Sequence, residues 1–336
     1  MEKGTVAICF VRQAVSELIS RGVSPDTVLQ EAGISPSLLR VEQARVSADS
    51  YAALWLGVAQ ALDDEFFGQD SGRLRCGSFT MLCHAISSCQ TVGQGLERAG
   101  RFLGLLLNDV QVRVERSSKE RGRGGAALVL SHPGARAPST FAQETMLVLL
   151  QGVMCWLARR RVPITYASFN YAEPDHSAEY LAMYSRDLRF DQPRTELGFD
   201  DSVLDRLVHH DEGSVKAFLR RAPYNFIVKY ADESSVAARI RKLLRGSPPA
   251  AWPGFEALSS KVHLSESSLR RRLMDEGSSY QEIKDRLRRD LAIEMLTHTD
   301  TPVAEIAEQL GFAETAAFHR AFRRWTGSPV GSYRVR

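Results

Sequence analysis

Between Ala304 and Gly327 the chain reads AEIAEQLGFAETAAFHRAFRRWTG. A Gly-Phe pair, Gly311-Phe312, separates two runs that each carry helical spacing. In the second run Phe318 and Phe322 stand four apart and therefore share one helix face. His319, Arg320, Arg323 and Arg324 are interleaved with them. This predicts a helix whose phenylalanine edge packs inward and whose arginines face out. Gly311 supplies the turn, because glycine takes a positive φ without steric cost.

A second piece repeats the plan upstream. From Phe255 to Gly277 there is a helical run FEALSSKV, a break at HLS, and then ESSLRRRLMDEG. Here Leu269 and Leu273 form the inward pair, and Arg270 and Arg271 lie off that edge. Each piece is a helix-turn-helix unit, about 255–277 and 303–327, an architecture in which the second helix enters the DNA major groove. Arginine suits such a face because its planar fork bonds guanine O6 and N7 together or clamps a phosphate. One unit alone would equally suit the solvated face of a helical bundle. Two in tandem, joined by a helical spacer, favour DNA. The spacer, Tyr280 to Thr297, is roughly 27 Å long at about 1.5 Å per residue. Successive major-groove faces lie about 34 Å apart, so the spacer and its flanks suffice to carry two recognition helices to adjacent grooves.

The remainder of the 336 residues reads differently. FVRQAVSELISRG has Val11, Val15, Leu18 and Ile19 at helical spacing and stops at Gly22. SPDTVLQEAG begins with Ser24 as cap and Pro25 at the first helical position. SADSYAALWLGVAQAL and TVGQGLERAGRFLGLL are longer helices. The period then changes to two in DVQVRVER, a half-exposed strand, with GAALVLSHP as partner and RSSKERGRGG as the connection. A long helix, FAQETMLVLLQGVMCWLARRR, follows. ITYASFNYA is a third strand, and LRFDQPRTELGFD holds two short ones. The fold class is therefore an α+β N-terminal domain with a small sheet and several helices, followed by an all-α C-terminal domain of two helix-turn-helix units joined by a linker helix. The boundaries are 1–220 for the first domain, 221–233 for the linker and 234–336 for the second. SPPAAWPG cannot continue a helix, since Pro248, Pro249 and Pro253 remove donors and clash with a helical backbone.

Composition excludes several classes. With 44% hydrophobic and 25% charged residues the chain is globular. No apolar run approaches the roughly 18–20 residues that span a membrane, and the opening VAICFV lacks the flanks of a signal peptide, so a cytoplasmic location is expected. Cys9, Cys76, Cys83, Cys89 and Cys155 are odd in number and form no CxxC pair, which suggests buried free thiols. Residues 239–336 carry 17 Lys/Arg against 12 Asp/Glu, the rest 26 against 28, an asymmetry that permits a nucleic-acid face at the C-terminus. An enzyme is not indicated. GQGLERAG has Arg98 where a dinucleotide fingerprint needs its third glycine. HHDE, His209 to Glu212, points adjacent side chains in different directions, as an exposed helix end does. Cys83-His84 lacks a third catalytic member. No metal or cofactor is expected. A purely architectural DNA binder would not need more than 200 residues of α+β domain.

Residues 234–334 resemble the AraC/XylS family of bacterial transcription regulators. The family signature is matched by Ile306-Ala307, Gly311-Phe312, Glu314, Phe318-His319-Arg320-Ala321-Phe322, Gly327, Pro329 and Tyr333-Arg334. Two positions depart from it: Ala316 replaces the usual Ser, and Pro329 sits one residue closer to Gly327. By position, the resemblance assigns base reading to Ser267, Arg270 and Arg271 in the first unit and to Ala316, Ala317, His319 and Arg320 in the second. Arg323 joins them as an outward-facing DNA-binding residue. Ala316 and Ala317 would meet a thymine methyl rather than make a polar contact. His319 is open between phosphate donor and plain surface residue.

GSFTMLCHAISSCQTVGQGLERAGRFLGLL and RTELGFDDSVLDRLV resemble the arabinose-binding-type regulatory domain found in regulators of amino-acid catabolism. The resemblance implies a regulator of transcription, an activator, that binds double-stranded promoter DNA as a homodimer, contacts RNA polymerase, and answers to a small-molecule effector. That effector is expected to be an amino-acid-related metabolite or a fatty acid; its site is not assigned. Phe79 to Ile86 and Phe141 to Trp156 would line a cavity or simply form core. Arg73 and Arg75 would pair an effector carboxylate or simply be solvated.

Overall fold

The computed structural model describes residues 4–120, 123–134, 136–227, 236–275 and 278–334. The side chains of residues 117–120, 123, 124, 238 and 275 lie outside the description. The chain divides into two compact units. The first contains Met1–Ala32 and Ala48–Tyr230, the second Gly33–Ser47 and Ala231–Arg336.

The first unit is built around α6 (Thr140–Leu157). Sixteen of its eighteen residues are buried, so it is a core helix and not a one-faced amphipathic one. Ser139 caps it, its hydroxyl accepting from the Ala142 amide at 3.0 Å. The other helices of this unit are α1 (Ile8–Ser20), α2 (Asp26–Glu31), α3 (Ala48–Leu62), α4 (Ser78–Ser87), α5 (Val92–Leu103), α7 (Tyr180–Met183), α8 (Glu212–Leu219) and α9 (Tyr224–Ile227). In α1, Val11, Val15 and Leu18 are buried as the spacing requires, but Ile19 is 54% exposed. The stripe instead takes in Ile8, Phe10 and Ala14, which places Ile19 on its edge. The α2 helix starts at Asp26, one residue later than expected, with Ser24 Oγ accepting from the Asp26 amide at 3.2 Å.

A short extended segment, β1 (Thr5–Ala7), opens this unit. Its sheet uses β3 (Gln111–Glu120), β4 (Arg123–Ser131), β5 (Tyr166–Ser168), β6 (Leu188–Arg189) and β7 (Thr195–Asp200), in the order β3-β4-β7-β5-β6. All neighbours are antiparallel except β5 and β6. The β3–β4 register runs from Gln111 opposite Ser131 to Glu120 opposite Arg123. Most of RSSKERGRGG therefore belongs to the strands and not to a connection; residues 121–122 lie outside the described residues. The central strand β7 is buried from Thr195 to Phe199, as a strand covered on both faces must be.

The second unit begins with Gly33–Ser47, a segment the sequence places in the first domain. It holds a short turn of helix at Pro36–Arg40 and β2 (Arg45–Ser47). The Arg45 amide donates to the Tyr333 hydroxyl at 3.1 Å. The helices of this unit are α10 (Val236–Arg245), α11 (Phe255–Lys261), α12 (Glu266–Asp275), α13 (Tyr280–His298), α14 (Val303–Gln309) and α15 (Thr315–Thr326). The expected linker, 221–233, is described only to residue 227, and Gly277 also lies outside the described residues.

Two clusters of apolar side chains fill this unit. Leu269 and Leu273 of α12 join Leu258, Val262, Ile240 and Leu244 in the first cluster. Phe318 and Phe322 of α15 are fully buried in the second, with Ile306, Leu310 and Val330 buried alongside. The Phe322 ring meets that of Tyr333 edge-on, centroids 5.0 Å apart. Helix α13 serves both. Its Tyr280, Ile283 and Leu287 enter the first cluster, and Ala292, Ile293 and Leu296 are buried further along. A capping box starts it: Ser279 Oγ accepts from the Glu282 amide at 3.2 Å, and the Ser279 amide donates to Glu282 Oε2 at 2.8 Å.

Phe322→Ala removes a fully buried aromatic side chain and should destabilise the second unit by about 3–5 kcal/mol. Calorimetry of the full chain should show the transition of that unit falling while the other transition stays in place. An unchanged thermogram would contradict the core assignment of Phe322.

Candidate nucleic-acid interface

The turn of the first helix-turn-helix unit is made by His263, held at φ 58°. Ser265 then starts α12, its hydroxyl accepting from the Ser268 amide at 3.3 Å and lying 3.2 Å from the Ser267 hydroxyl. With Leu269 and Leu273 buried, Ser267, Arg270 and Arg271 are exposed. The Arg270 guanidinium rests 5.4 Å from the centre of the Phe255 ring, a cation–π contact that a phosphate or base edge would have to compete with.

In the second helix-turn-helix unit Gly311 makes the turn at φ 77°. Along α15, Ala316, His319, Arg320 and Arg323 are exposed, and Ala317 is half-buried. Ala317 is therefore less available for groove contact than its sequence position implies. Arg271, Arg320 and Arg323 make no ion pair among the described residues. Their charge is not neutralised within the described fold, which leaves it for an external anion. Arg324, by contrast, approaches Asp285 of α13 at 3.9 Å.

The turn of the second helix-turn-helix unit is gripped from two sides. Arg288 of α13 donates through Nε to the Leu310 carbonyl at 2.9 Å, and its guanidinium lies 5.4 Å from the Trp252 ring and 5.5 Å from the Phe312 ring. Burial pushes this guanidinium below its usual pKa range, while Asp285 and Tyr280 pull it back up. A Cβ placed on Gly311 would lie 3.2 Å from Ala250 Cα. The proline-rich stretch thus does more than break a helix: it lies against this turn. Trp252 is fixed in turn, its indole N–H donating to the Leu244 carbonyl at 2.8 Å. Beyond, Arg334 donates to the carbonyls of Thr299 and Thr301. The Tyr333-Arg334 pair is accordingly structural: one residue packs on Phe322 and the other clasps the connection between α13 and α14.

The remaining sequence candidates have ordinary surroundings. Arg73 is exposed, 3.7 Å from Asp63, and Arg75 is exposed too. Phe79, Leu82, Cys83 and Ile86 are core, with the Phe79 ring packed 5.0 Å from that of Phe226. His210 stacks on Trp156 at 4.3 Å, and Asp211 caps α8 through the Ser214 amide. Burial raises the Cys83 thiol well above its usual range. Of the thiols, Cys83, Cys89 and Cys155 are buried, Cys9 is half-buried, and Cys76 is exposed, contrary to the reading of all five as buried. The α6 residues Phe141, Glu144, Thr145 and Val148 do line a cavity. Sequence reasoning missed Glu144 there; its one signal is an acid inside the apolar run FAQETMLVLL. Among the described residues, no helix is long and apolar enough to cross a membrane.

Both regions of the chain are similar in sequence to known proteins. Residues 22–208 match the family described as the arabinose-binding domain of AraC transcription regulator, N-terminal. Residues 258–336 match a helix-turn-helix domain family. The chain is 26% identical over 330 residues to the ornithine utilization regulator of Pseudomonas aeruginosa, covering 98% of this chain and 96% of that one. It is 39% identical over 93 residues to the regulator VqsM of the same organism, 28% of this chain and 29% of that one. Among solved structures, the regulator CdpR from Pseudomonas aeruginosa aligns over 96% of this chain and 97% of its own, at 20% identity and a TM-score of 0.33.

Arg288→Ala removes a charged donor from the Leu310 carbonyl and should cost about 1–3 kcal/mol. The melting transition of the second unit is the readout. If it does not move, Arg288 is not the clasp described here.

Proposed function

The chain belongs to the AraC family of transcription regulators, and from that premise we propose that it activates transcription as a homodimer on promoter DNA, in the cytoplasm, under the control of an amino-acid-related metabolite. It is a helix-turn-helix DNA-binding regulator and not an enzyme. Residues 1–220 are proposed as the regulatory domain, 221–233 as the linker and 234–336 as the DNA-binding domain. A relative that spans nearly the whole chain is named for ornithine utilization, which supports an amino-acid-related effector over a fatty acid. A contact with RNA polymerase completes the activator reading.

The observation that carries the DNA-binding assignment is the paired presentation of arginine. Two second helices are each pinned by a buried apolar pair, Leu269/Leu273 and Phe318/Phe322, and each shows exposed arginines on another face. Base reading is proposed for Ser267, Arg270 and Arg271 in α12 and for Ala316, His319 and Arg320 in α15. Ala317 contributes methyl contact at its exposed edge. Arg323, one turn further along from Arg320, is placed for phosphate. The seat of discrimination is the arginine fork, since a bidentate bond to guanine contributes about 1–3 kcal/mol against the wrong base.

Arg271→Ala and Arg320→Ala should each weaken specific binding by about 1–3 kcal/mol and leave binding to random duplex much less affected. Gel shifts against both duplexes decide this. Equal losses on the two would make these residues phosphate contacts and remove them from base reading. A promoter-reporter assay tests control by effector: an output that no metabolite alters would leave a DNA binder without a sensor.

A further inference from the structure

Inside the first unit, α1, α3, α6, α7 and α9 enclose a cavity with about 30 Å³ of space in which the centre of a water molecule fits. At about 10–15 Å³ per water on this measure, it has room for a group of two or three heavy atoms. Most of its wall is apolar or aromatic, with Phe10, Tyr51, Trp55, Phe141 and Val148 among the lining residues. One ionisable carboxyl group is set in this wall, that of Glu144 from the middle of α6, and no Lys or Arg lines the cavity. Glu144 is only 2% exposed.

The surroundings of that carboxyl are lopsided. Oε1 receives the His176 Nε2 at 2.5 Å and the Tyr180 hydroxyl. Oε2 makes no hydrogen bond among the described residues. The Tyr51 hydroxyl, also at the cavity, makes none either. A carboxylate oxygen that faces a mostly apolar cavity without a protein donor is poorly solvated there, and a ligand donor that reaches it supplies the missing hydrogen bond. Aromatic faces around the same space attract a cation through their quadrupoles. A ligand carboxylate would meet the reverse: the like charge of Glu144, with its neighbouring imidazole His176 already engaged at Oε1 and no Lys or Arg in the lining.

We infer that this cavity is a binding site for an alkylammonium group, seated on Glu144 Oε2 and walled by the rings of Phe10, Tyr51, Trp55 and Phe141. The assignment rests on reading the first unit as the regulatory domain and names the effector's recognised end. The ammonium donates to Oε2 and to the Tyr51 oxygen, and the alkyl stem lies against Val148 and the rings. An effector recognised only through a carboxylate, such as a fatty acid, does not suit this site.

The test uses the full chain and titrates methylammonium and ethylammonium chlorides against sodium formate, acetate and chloride at matched ionic strength. Tryptophan fluorescence and the melting midpoint are followed. The ammonium ions should raise the midpoint with saturation, by mass action on the native state, and the carboxylates should not. Glu144→Gln should weaken ammonium binding by about tenfold or more, as loss of one member of a buried charge pair does. Trp55→Leu leaves the Glu144 hydrogen bonds in place and should weaken binding several-fold, which keeps the test decisive if the glutamate variant does not fold. Carboxylates binding as well as amines, an amine effect no larger than that of chloride salt, or unaltered binding by a folded Glu144→Gln would overturn the assignment. Gel shifts on promoter DNA separate the two readings. Ammonium binding without any change in DNA binding keeps the site and overturns effector control. A different metabolite acting without ammonium binding does the opposite.

Discussion

The bond from Arg288 to the Leu310 carbonyl, with Trp252 and Phe312 about its guanidinium, joins three parts of the DNA-binding region at one point. Arg288 belongs to the linker helix, Leu310 and Phe312 to the turn of the second helix-turn-helix unit, and Trp252 to the stretch that leads into the first. Gly311 sits in the same place, close enough to Ala250 that any side chain there would press on backbone. Two reading helices separated by a single straight helix would be free to twist about it. This clasp, together with the burial of both ends of α13 in two separate clusters, fixes their relative orientation. An arginine suits the role because it can donate to a carbonyl while its planar faces contact aromatic rings.

That constraint also leaves the arginines of the outward faces free of structural duty among the described residues, as the proposed DNA contact requires. Arg271, Arg320 and Arg323 make no ion pair among the described residues, whereas Arg288 and Arg334 donate to backbone carbonyls. In the sensing unit a comparable division exists along α6. Most of that helix is core, and one residue, Glu144, supplies charge to a cavity. If an amine occupying that cavity changes DNA affinity by some factor, linkage requires DNA to change amine affinity by the same factor. The coupling can therefore be measured from either end.

Much of this was legible in the sequence where interactions are local. Leu269/Leu273 and Phe318/Phe322 declare their buried faces through a four-residue spacing, and Gly311 declares its turn because a side chain is disfavoured at positive φ. The sheet strands were visible by alternation, though the Arg-, Gly- and Ser-rich run RSSKERGRGG concealed how far β3 and β4 extend. What was hidden is what depends on distant partners. Arg288 looks like one more basic residue on a helix until Leu310, 22 residues away, is placed beside it. Gly33–Ser47 carries no mark of belonging with the C-terminal helices, since its tie is a backbone amide to the Tyr333 hydroxyl. Glu144 did carry a mark, a lone acid in an apolar run, but only the fold shows that a cavity lies beside it. Arg73 and Arg75 are charges suited to a carboxylate, and proximity to Asp63 accounts for the first.

The most direct measurement is a hydroxyl-radical footprint of the chain on its promoter, paired with methylation interference at guanine N7. Two rigidly held recognition helices predict two major-groove patches for each chain, on one side of the duplex and centred about 10–10.5 base pairs apart. A single patch per chain, or two patches on opposite sides of the duplex, would contradict the account.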